Sequence, residues 1–338
     1  MTMLAVPPRQ RAAVPAELRG LRRDGVRLCV VDRMAQTVTH TTVARLAEHL
    51  GAGDLLVVNS SRTIPATLRG RRADGSPVEV RPWVRRGRRW DAIAVEATPP
   101  HAPLPLRIGE RLTLPGGLTA IVRGRRPELP LVWRLELEGA DGLEILLAHG
   151  RPVRYSYASE AIAAEHDQTV YATHPGSAET PSAGRVLSWE LLLRLRAAGV
   201  EVVDIVLHTG LSSTQDDAVD ATHPLLEEWF SVGPRAAAAV DRARRVVAVG
   251  TTVVRALETA ASAPGRVRPM QGWTRLAITP DHRMRAVDAL LTGLHEPGAS
   301  HLDIVGAAVP LPLLERAHAE MLERGYLWHE FGDSLLVL

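Results

Sequence analysis

The chain has 338 residues, of which 46% are hydrophobic and 23% are charged, and its formal net charge is +2. These values exclude a disordered chain or a small stapled scaffold and predict about two domains with a sizeable core. All 40 basic residues are Arg, which we attribute to a coding bias, so Arg richness alone does not indicate a nucleic-acid-binding protein.

Cysteine use and hydropathy bear on the compartment. A lone cysteine, Cys29, excludes an intramolecular disulfide and a cysteine zinc cluster, and it is consistent with a reducing compartment. The longest apolar candidate, residues 304–314, is shorter than the roughly 18 residues of a membrane span and contains two prolines. We therefore expect no membrane segment and a cytoplasmic protein.

The chain begins with alternating strand and helix patterns. Residues 26–32 predict a strand, residues 43–50 a helix, and residues 55–58 a buried strand. Asn59 and Arg62 follow that strand, at the end where ligands gather in α/β sheets. A turn whose side chains bond their own backbone explains Asn59 equally well.

The pattern changes between residues 63 and 150 to short β-rich segments separated by Gly and Pro. This spacing is typical of a small antiparallel barrel or sandwich. The predicted fold class is therefore α/β, with a mixed α/β main domain (residues 1–62 and 151–338) and an inserted β-barrel domain (residues 63–150).

Positive charge is concentrated at the start of the predicted barrel. Residues 62–89 contain nine Arg and two acidic residues, a net charge of 9 − 2 = +7, so the remainder of the chain carries 2 − 7 = −5. With Trp83 and Trp90 interleaved, this segment has the composition of an RNA-binding surface with stacking side chains. A solvated barrel face is an equally good interpretation. The candidate RNA contacts are Arg85, Arg86, Arg88 and Arg89.

Helical and strand periods alternate again after residue 151. An amphipathic helix is predicted over residues 189–198, ending at Gly199, and a strand over residues 202–208, ending at His208. His295 follows a later apolar run in the same way. A histidine at a strand end can equally be a hydrogen-bonded residue of the core edge.

A short apolar run, a glycine and a helix follow one another at Gly250. Thr251 and Thr252 are predicted to cap this helix, and such a junction can bind an anion or a carboxylate. Arg255 and Glu258 continue from Thr251 along one helical face, which predicts a polar row that points away from the core. The alternative is an ordinary strand–helix junction with a solvated ion pair.

Common cofactor and metal motifs are absent from the sequence. There is no dinucleotide, phosphate-loop or hydrolase-elbow motif, and no His and carboxylate set has metal-ligand spacing. If the predicted strands are parallel and adjacent, their ends share one crevice. The residues that follow these strands are Asn59, Arg62, His208, Thr251, Thr252 and His295.

Six segments, in order, resemble the S-adenosylmethionine:tRNA ribosyltransferase-isomerases of queuosine biosynthesis. They are GDLLVVNSSRTIPATLRG, QTVYATHPGSAETPSAG, VLHTG, VAVGTTVVRALE, VDALLTGLHEP and FGDSLLV, and they span roughly residues 53–338. The resemblance implies an α/β domain with an inserted β-barrel, S-adenosylmethionine as co-substrate and tRNA as partner. The implied reaction transfers the adenosyl ribose to a 7-aminomethyl-7-deazaguanine base and isomerises it, while methionine and adenine leave.

The resemblance also implies roles for individual residues. His208 and His295 would transfer protons, and Thr251, Thr252 and Arg255 would form an anion-binding turn. The residues that would shape the substrate pocket are Asn59, Arg62, Gln168, Tyr171, Gly184, Gly210, Glu258 and Asp333.

Several motif positions depart from the family pattern. Val186 and Leu226 stand where the family has histidine, and Glu296 replaces a leucine after His295, whereas Glu228 is kept. A valine cannot transfer a proton. These departures are what we expect of a divergent paralogue, so two alternatives remain: an S-adenosylmethionine-dependent transferase with another substrate, and a catalytically silent RNA-binding protein.

Overall fold

The computed structural model describes residues 5–98, 101–154, 162–211, 226–296 and 300–338. The strands are β1 (Arg27–Asp32), β2 (Thr37–Thr42), β3 (Asp54–Asn59), β4 (Ser61–Thr63), β5 (Leu68–Arg71), β6 (Pro77–Arg86), β7 (Arg89–Val95), β8 (Arg111–Thr113), β9 (Thr119–Arg126), β10 (Leu129–Glu138), β11 (His174–Ser177), β12 (Glu201–Leu207), β13 (Glu228–Val232), β14 (Arg245–Val249), β15 (Ala261–Ala263), β16 (Arg266–Val267), β17 (Met270–Thr274), β18 (Ala289–Gly293) and β19 (Ser334–Val337). The α-helices are α1 (Gly142–His149), α2 (Trp189–Ala197), α3 (Pro234–Arg242), α4 (Thr251–Ala260), α5 (Ser300–Ala308) and α6 (Leu311–Glu323). Short 3₁₀ helices cover Pro8–Gln10, Glu17–Arg19, Arg23–Gly25, Val43–Glu48, Pro115–Gly117, Ala164–Asp167 and Ser182–Gly184.

A nine-stranded sheet forms the centre of the molecule, in the order β17-β13-β12-β3-β14-β18-β19-β1-β2. Within it β12, β3, β14 and β18 are parallel neighbours. All six residues of β3 are buried, as expected of a continuous apolar run covered on both faces. Alternate residues of these strands belong to two apolar clusters, one on each face of the sheet.

The second unit is a closed antiparallel barrel in the order β10-β7-β6-β5-β8-β9. Its interior is a separate apolar cluster, and Trp83 and Trp90 belong to it, with exposures of only 8% and 2%. The predicted use of these two tryptophans as surface stacking residues is therefore wrong, because the barrel needs them to fill its core. The predicted fold class is confirmed, whereas the domain boundaries at residues 62–63 and 150–151 stay predictions.

The elements after β2 match the predictions in part. The predicted helix over residues 43–50 is a 3₁₀ helix, in which Val43 and Leu46, three residues apart, lie above one another and are both buried. The helix predicted over residues 189–198 is present as α2, and Gly199 ends it with a left-handed φ of 85°.

The junction before α4 differs from its prediction in two respects. Gly250 is the N-cap, with a φ of 95°, and Thr251 is already the first helical residue, so the predicted threonine cap is wrong. Thr251, Arg255 and Glu258 are 6%, 7% and 6% exposed. The predicted polar row that points away from the core is therefore also wrong, as is the alternative of a solvated ion pair, because β12, β13 and β17 pack against this helix and cover it.

Candidate functional site

The site lies at the carboxyl edge of the four parallel strands. Asn59, His208, Thr251 and His295 lie at or just beyond the ends of β3, β12, β14 and β18, and these strands are neighbours in the sheet. The prediction of a shared crevice required these strands to be parallel and adjacent. This arrangement of the strands is confirmed. Across this edge the amide of Asn59 lies 3.4 Å from the hydroxyl of Thr252.

Three contacts hold the imidazole of His208 in place. Its Nδ1 shares a hydrogen bond of 2.8 Å with the hydroxyl of Ser61, and its ring stacks on Trp229 with centroids 5.2 Å apart. A Cβ atom on Gly176 would lie 2.4 Å from the imidazole, so only a glycine leaves room for the ring. The orientation of His208 is therefore fixed by its surroundings.

The surroundings of His208 also keep it neutral. Burial, followed by the positive charge of Arg85 and the proximity of His174, lowers the pKa of His208 from 6.5 to about 4. Burial disfavours the charged imidazolium, and a nearby cation disfavours it further. At neutral pH the side chain is an uncharged imidazole, which can accept a proton.

A cleft of about 210 Å³ opens beside His208. Its walls come from barrel strand β6 and from the sheet edge formed by β13 and β17. The lining residues are Trp83, Val84, Arg85, Gly176, Ala178, His208, Thr209, Glu227, Glu228, Trp229 and Trp273.

Arg85, a predicted RNA contact, lines this cleft and is not part of a fully solvated barrel face; its role in RNA binding stays a prediction. One guanidinium nitrogen, Nη2, donates to the carbonyl of Gly176. Its Nη1 is buried and meets no hydrogen-bond partner within the described residues. Burial lowers the pKa of Arg85 to about 10, so it stays charged at pH 7 and has a donor available for an anion.

The other predicted RNA contacts lie nearer the surface. Arg86 donates to Glu227 at 2.9 Å, Arg88 donates to the carbonyls of Leu137 and Gly139 at the end of β10, and Arg89 is exposed. Arg62, on β4, is also exposed. Their role in RNA binding stays a prediction.

A buried ion pair connects the cleft to α4. Glu228 accepts a hydrogen bond of 3.0 Å from the backbone N–H of Gly210, and its other oxygen pairs with Nη1 of Arg255. Arg255 also donates through Nε to the carbonyl of Leu276 at 3.0 Å. Its Nη2 is buried, and the described part of the chain offers it no partner. Arg255 is therefore a second cation with an unused donor.

His295 stacks on a second histidine beside this ion pair. The rings of His295 and His301 lie 4.9 Å apart at 15°, and His295 Nε2 is 3.2 Å from the hydroxyl of Thr292. Burial, then the proximity of His301 and His329, lowers the pKa of His295 well below its usual value. Burial also lowers the pKa of His301, against the opposing effect of Glu228. Both histidines are neutral at pH 7.

Two predicted pocket residues bridge neighbouring backbone segments. The carboxamide of Asn59 accepts from the N–H of Leu207 at 3.0 Å and donates to its carbonyl at 2.9 Å, which joins β3 to β12. Its Nδ2 also lies 3.4 Å from the hydroxyl of Thr252. Gln168 makes the same pair of contacts with the backbone of Thr63. These bonds position the strand ends, and a role in ligand binding stays a prediction.

Two predicted pocket carboxylates hold loops. Glu258 accepts hydrogen bonds of 2.9 and 3.0 Å from backbone N–H groups of residues 285–286. Asp333 accepts from the N–H groups of Arg27 and Leu327, each at 2.8 Å. Burial raises the pKa of Asp333. The pocket roles predicted for both residues remain predictions.

Both glycines predicted for the pocket are sites of close packing. A Cβ on Gly184 would lie 2.0 Å from the hydroxyl of Tyr171, and a Cβ on Gly210 would lie 2.5 Å from the ring of Trp83. The Tyr171 hydroxyl is buried and unpartnered as far as the structure describes the chain, and burial raises the pKa of Tyr171. This hydroxyl is a candidate hydrogen-bond donor to a ligand.

Sequence reasoning did not predict Ser61 beside His208 or Glu228 in the cleft lining, and it did not predict the raised pKa of Glu330. Burial, then the charges of Glu179 and Asp167, raises the pKa of Glu330 to about 8, so at pH 7 it is mostly a protonated acid. The sequence could have indicated Ser61, because it follows the polar strand end at residue 59. It could also have indicated Glu228, because Glu228 is a retained motif residue. The neighbours of Glu330 come from a distant loop, and no sequence signal indicates them.

The described ranges contain no helix long and apolar enough to cross a membrane. They also contain no group of three or more His, Cys, Asp or Glu side chains that could hold a metal ion.

Fold and site together define an α/β protein with a cleft at the end of β12, bordered by a β-barrel; Asn59, Thr251 and His295 are not among the residues that line this cleft. A family profile described as "Queuosine biosynthesis protein" matches residues 4–337, and the chain belongs to this enzyme family. The family resemblance of the six segments is thereby confirmed.

Individual relatives agree with the profile. The chain is 38% identical to an S-adenosylmethionine:tRNA ribosyltransferase-isomerase of Symbiobacterium thermophilum, over 94% of each chain. It is 35% identical to the enzyme of the same name from Moorella thermoacetica, over 98% of this chain and 97% of the relative. The solved structure of S-adenosylmethionine tRNA ribosyltransferase from Thermotoga maritima superposes with a TM-score of 0.56 at 28% identity, over 99% of both chains.

Proposed function

We propose that the protein transfers the ribosyl group of S-adenosylmethionine to a 7-aminomethyl-7-deazaguanine base in tRNA and isomerises it. The product is epoxyqueuosine-tRNA, and adenine and methionine are released. The observation that carries this proposal is the cleft in which a neutral, fixed His208 faces a half-buried cation, Arg85. The names of the relatives supply the substrate classes.

His208 is the proposed general base. The sulfonium of the co-substrate acidifies the neighbouring C5′ protons, and a base that removes one of them has to be unprotonated beforehand. A pKa of about 4 keeps the imidazole of His208 in that form. The hydrogen bond with Ser61 and the stack on Trp229 hold its ring in one orientation.

Arg85 and Arg255 are the proposed partners of the methionine carboxylate. Each guanidinium has a buried nitrogen with no partner within the described residues, and hydrogen bonds between guanidinium and carboxylate groups are among the strongest in proteins. The first N–H groups of α4, at Thr251 and Thr252, point out of the helix N-terminus and favour the same negative charge.

Glu330 is the proposed acid for the departing adenine. A leaving base departs more easily when an acid protonates it, and a carboxyl group with a pKa of about 8 carries a proton at pH 7. His295, whose pKa is lowered by burial, is neutral and suits a hydrogen-bonding or proton-accepting role better than that of an acid.

Adenine release tests the proposal. The purified protein is mixed with S-adenosylmethionine and tRNA that carries the deazaguanine precursor, and free adenine is followed by chromatography. Wild type is expected to release adenine only when this RNA is present. His208→Ala should be slower by about 100-fold or more, the usual loss when a general base is removed. His149→Ala, on the exposed side of α1, is the matched control and should match wild type. Wild-type release no faster than His208→Ala would refute the proposal.

A second candidate is a catalytically silent RNA-binding protein. It is favoured by Val186 and Leu226, which occupy positions of family histidines and lie in apolar core clusters, 6% and 5% exposed. This candidate predicts RNA binding with no thermal shift on adding S-adenosylmethionine. A thermal shift without RNA-dependent adenine release would instead indicate a transferase with another acceptor.

A further inference from the structure

A row of aromatic rings runs from His208 towards the surface. His208 stacks on Trp229, and Trp229 lies directly opposite Trp273 in the antiparallel pair of β13 and β17. Residues directly opposite one another in such a pair project from the same face of the sheet, about 5 Å apart at Cβ. All three side chains line the cleft. The row therefore continues outward from the proposed general base.

Cationic groups cover the outer end of this row. The guanidinium of Arg86, from barrel strand β6, lies 4.4 Å from the ring centroid of Trp273. Both Arg86 and Arg275 bind the carboxylate of Glu227, while their side chains remain 50% and 64% exposed. Trp273 is 38% exposed. An aromatic face and two solvent-accessible cations thus stand together at the mouth of the cleft.

A buried carboxylate anchors these cations. Glu227 is only 2% exposed and also binds two nitrogens of Arg126. Burial opposes its ionisation, but the hydrogen bonds and charges of Arg126 and the charge of Arg275 lower the pKa of Glu227 to about 2. The carboxylate is therefore charged at every physiological pH and fixes Arg86 and Arg275 without covering them.

We propose that Trp229, Trp273, Arg86 and Arg275, the stacking ledge, bind the single-stranded nucleotides next to the acceptor base of the RNA. A base stacks on the part of the Trp273 ring that Arg86 leaves exposed, and the adjoining phosphates contact the two guanidiniums. Aromatic rings flanked by Arg are the usual platform for unpaired nucleotides, because every base has a stacking face. This inference rests on the proposed function, since it takes RNA as the substrate.

The stacking ledge lies where it can stabilise RNA whose acceptor base has entered the cleft. A base that enters the cleft beside His208 has left its own stack, and its neighbours lose a stacking partner, which costs a few kcal/mol. Trp273 replaces that partner at the cleft mouth. The ledge therefore favours the extruded arrangement of the RNA.

Fluorescence anisotropy with a labelled RNA hairpin that copies a tRNA anticodon arm tests the ledge. Trp273→Ala is expected to weaken hairpin binding about 5- to 100-fold, the loss of one base–aromatic stack. Trp273→Phe keeps an aromatic face and should recover most of the affinity, whereas Trp273→Leu should not. Trp189→Ala removes a tryptophan that is 57% exposed on α2 and is the matched control, with unchanged binding expected. Thermal melting of each variant reports whether it is folded.

The outcomes separate the ledge from the function on which it rests. Unchanged affinity in folded Trp273→Ala, with wild-type adenine release intact, would overturn the ledge alone. Wild type that binds S-adenosylmethionine in calorimetry but no RNA hairpin would overturn both the ledge and the proposed acceptor. An acidic peptide that competes with the hairpin and depends on Trp273 to the same extent would assign the surface to a protein partner and also overturn the proposal.

Discussion

Neutralising Glu228 is the sharpest test of how the site is held together. Glu228→Gln keeps the shape of the side chain and its bond to the N–H of Gly210 but removes the charge that faces Arg255. The side chains of the pair are 14% and 8% exposed. Breaking a buried ion pair by removing one partner costs about 3–5 kcal/mol. The retained amide and the partial exposure reduce the expected loss in free energy of unfolding to about 2–3 kcal/mol.

Urea unfolding followed by circular dichroism measures this loss. With a slope of about 3 kcal/mol per molar urea, the midpoint should fall by about 0.7–1 M. Glu228→Gln should also weaken S-adenosylmethionine binding, because Arg255 loses the contact that orients it. Arg255→Met in the same background removes the uncompensated cation and should restore most of the stability, but not the binding. A single variant as stable as wild type, or a double variant no more stable than the single one, would refute the reasoning.

Two further predictions concern packing and protonation. Gly184→Ala places a methyl group against the hydroxyl of Tyr171 and should lower the free energy of unfolding by about 1–3 kcal/mol. Gly51→Ala is the control, because Gly51 has open space around it, and it should leave the free energy of unfolding unchanged. Equal urea midpoints for the two variants would contradict this prediction. The ring signals of His208 in NMR should titrate near pH 4 instead of 6.5. As the pH falls, the unfolded chain binds a proton on His208 before the folded chain does. The contribution of the neutral His208 to the free energy of unfolding is therefore complete above pH 6.5 and decreases by up to about 2–3 kcal/mol as the pH falls towards 4. Arg85→Met should raise this pKa, and titration at 6.5 in wild type would rule out the buried, neutral imidazole.

The sequence predicts those parts of the fold that depend on local pattern. Continuous apolar runs identified the buried central strands, and short segments punctuated by glycine identified the barrel. The end of α2 was predictable because Gly199 adopts a left-handed conformation that other residues avoid. In each case the cause lies within a few residues of its effect.

The site was less predictable because its properties come from tertiary neighbours. The polar spacing of Thr251, Arg255 and Glu258 predicts an exposed helical face, yet sheet strands cover that face, Glu228 pairs with Arg255, and backbone N–H groups bind Glu258. Trp83 in an Arg-rich segment has the composition of a nucleic-acid surface, but the barrel closes around it. Sequence spacing identifies residues on one face of an element and cannot tell what packs against that face.

The order of the central strands has a consequence for synthesis of the chain on the ribosome. Strand β3 pairs on both sides with later segments, β12 and β14, and the first residue of β12 comes 201 − 59 = 142 residues after the end of β3. At about 5–20 residues per second, β3 waits for its first partner for roughly 7–30 s. All the barrel strands, from residue 68 to residue 138, emerge during this interval. We therefore expect the barrel to fold first, while β3, whose six residues are all buried in the finished sheet, stays unpaired beside it and needs protection from aggregation until the second half of the chain arrives.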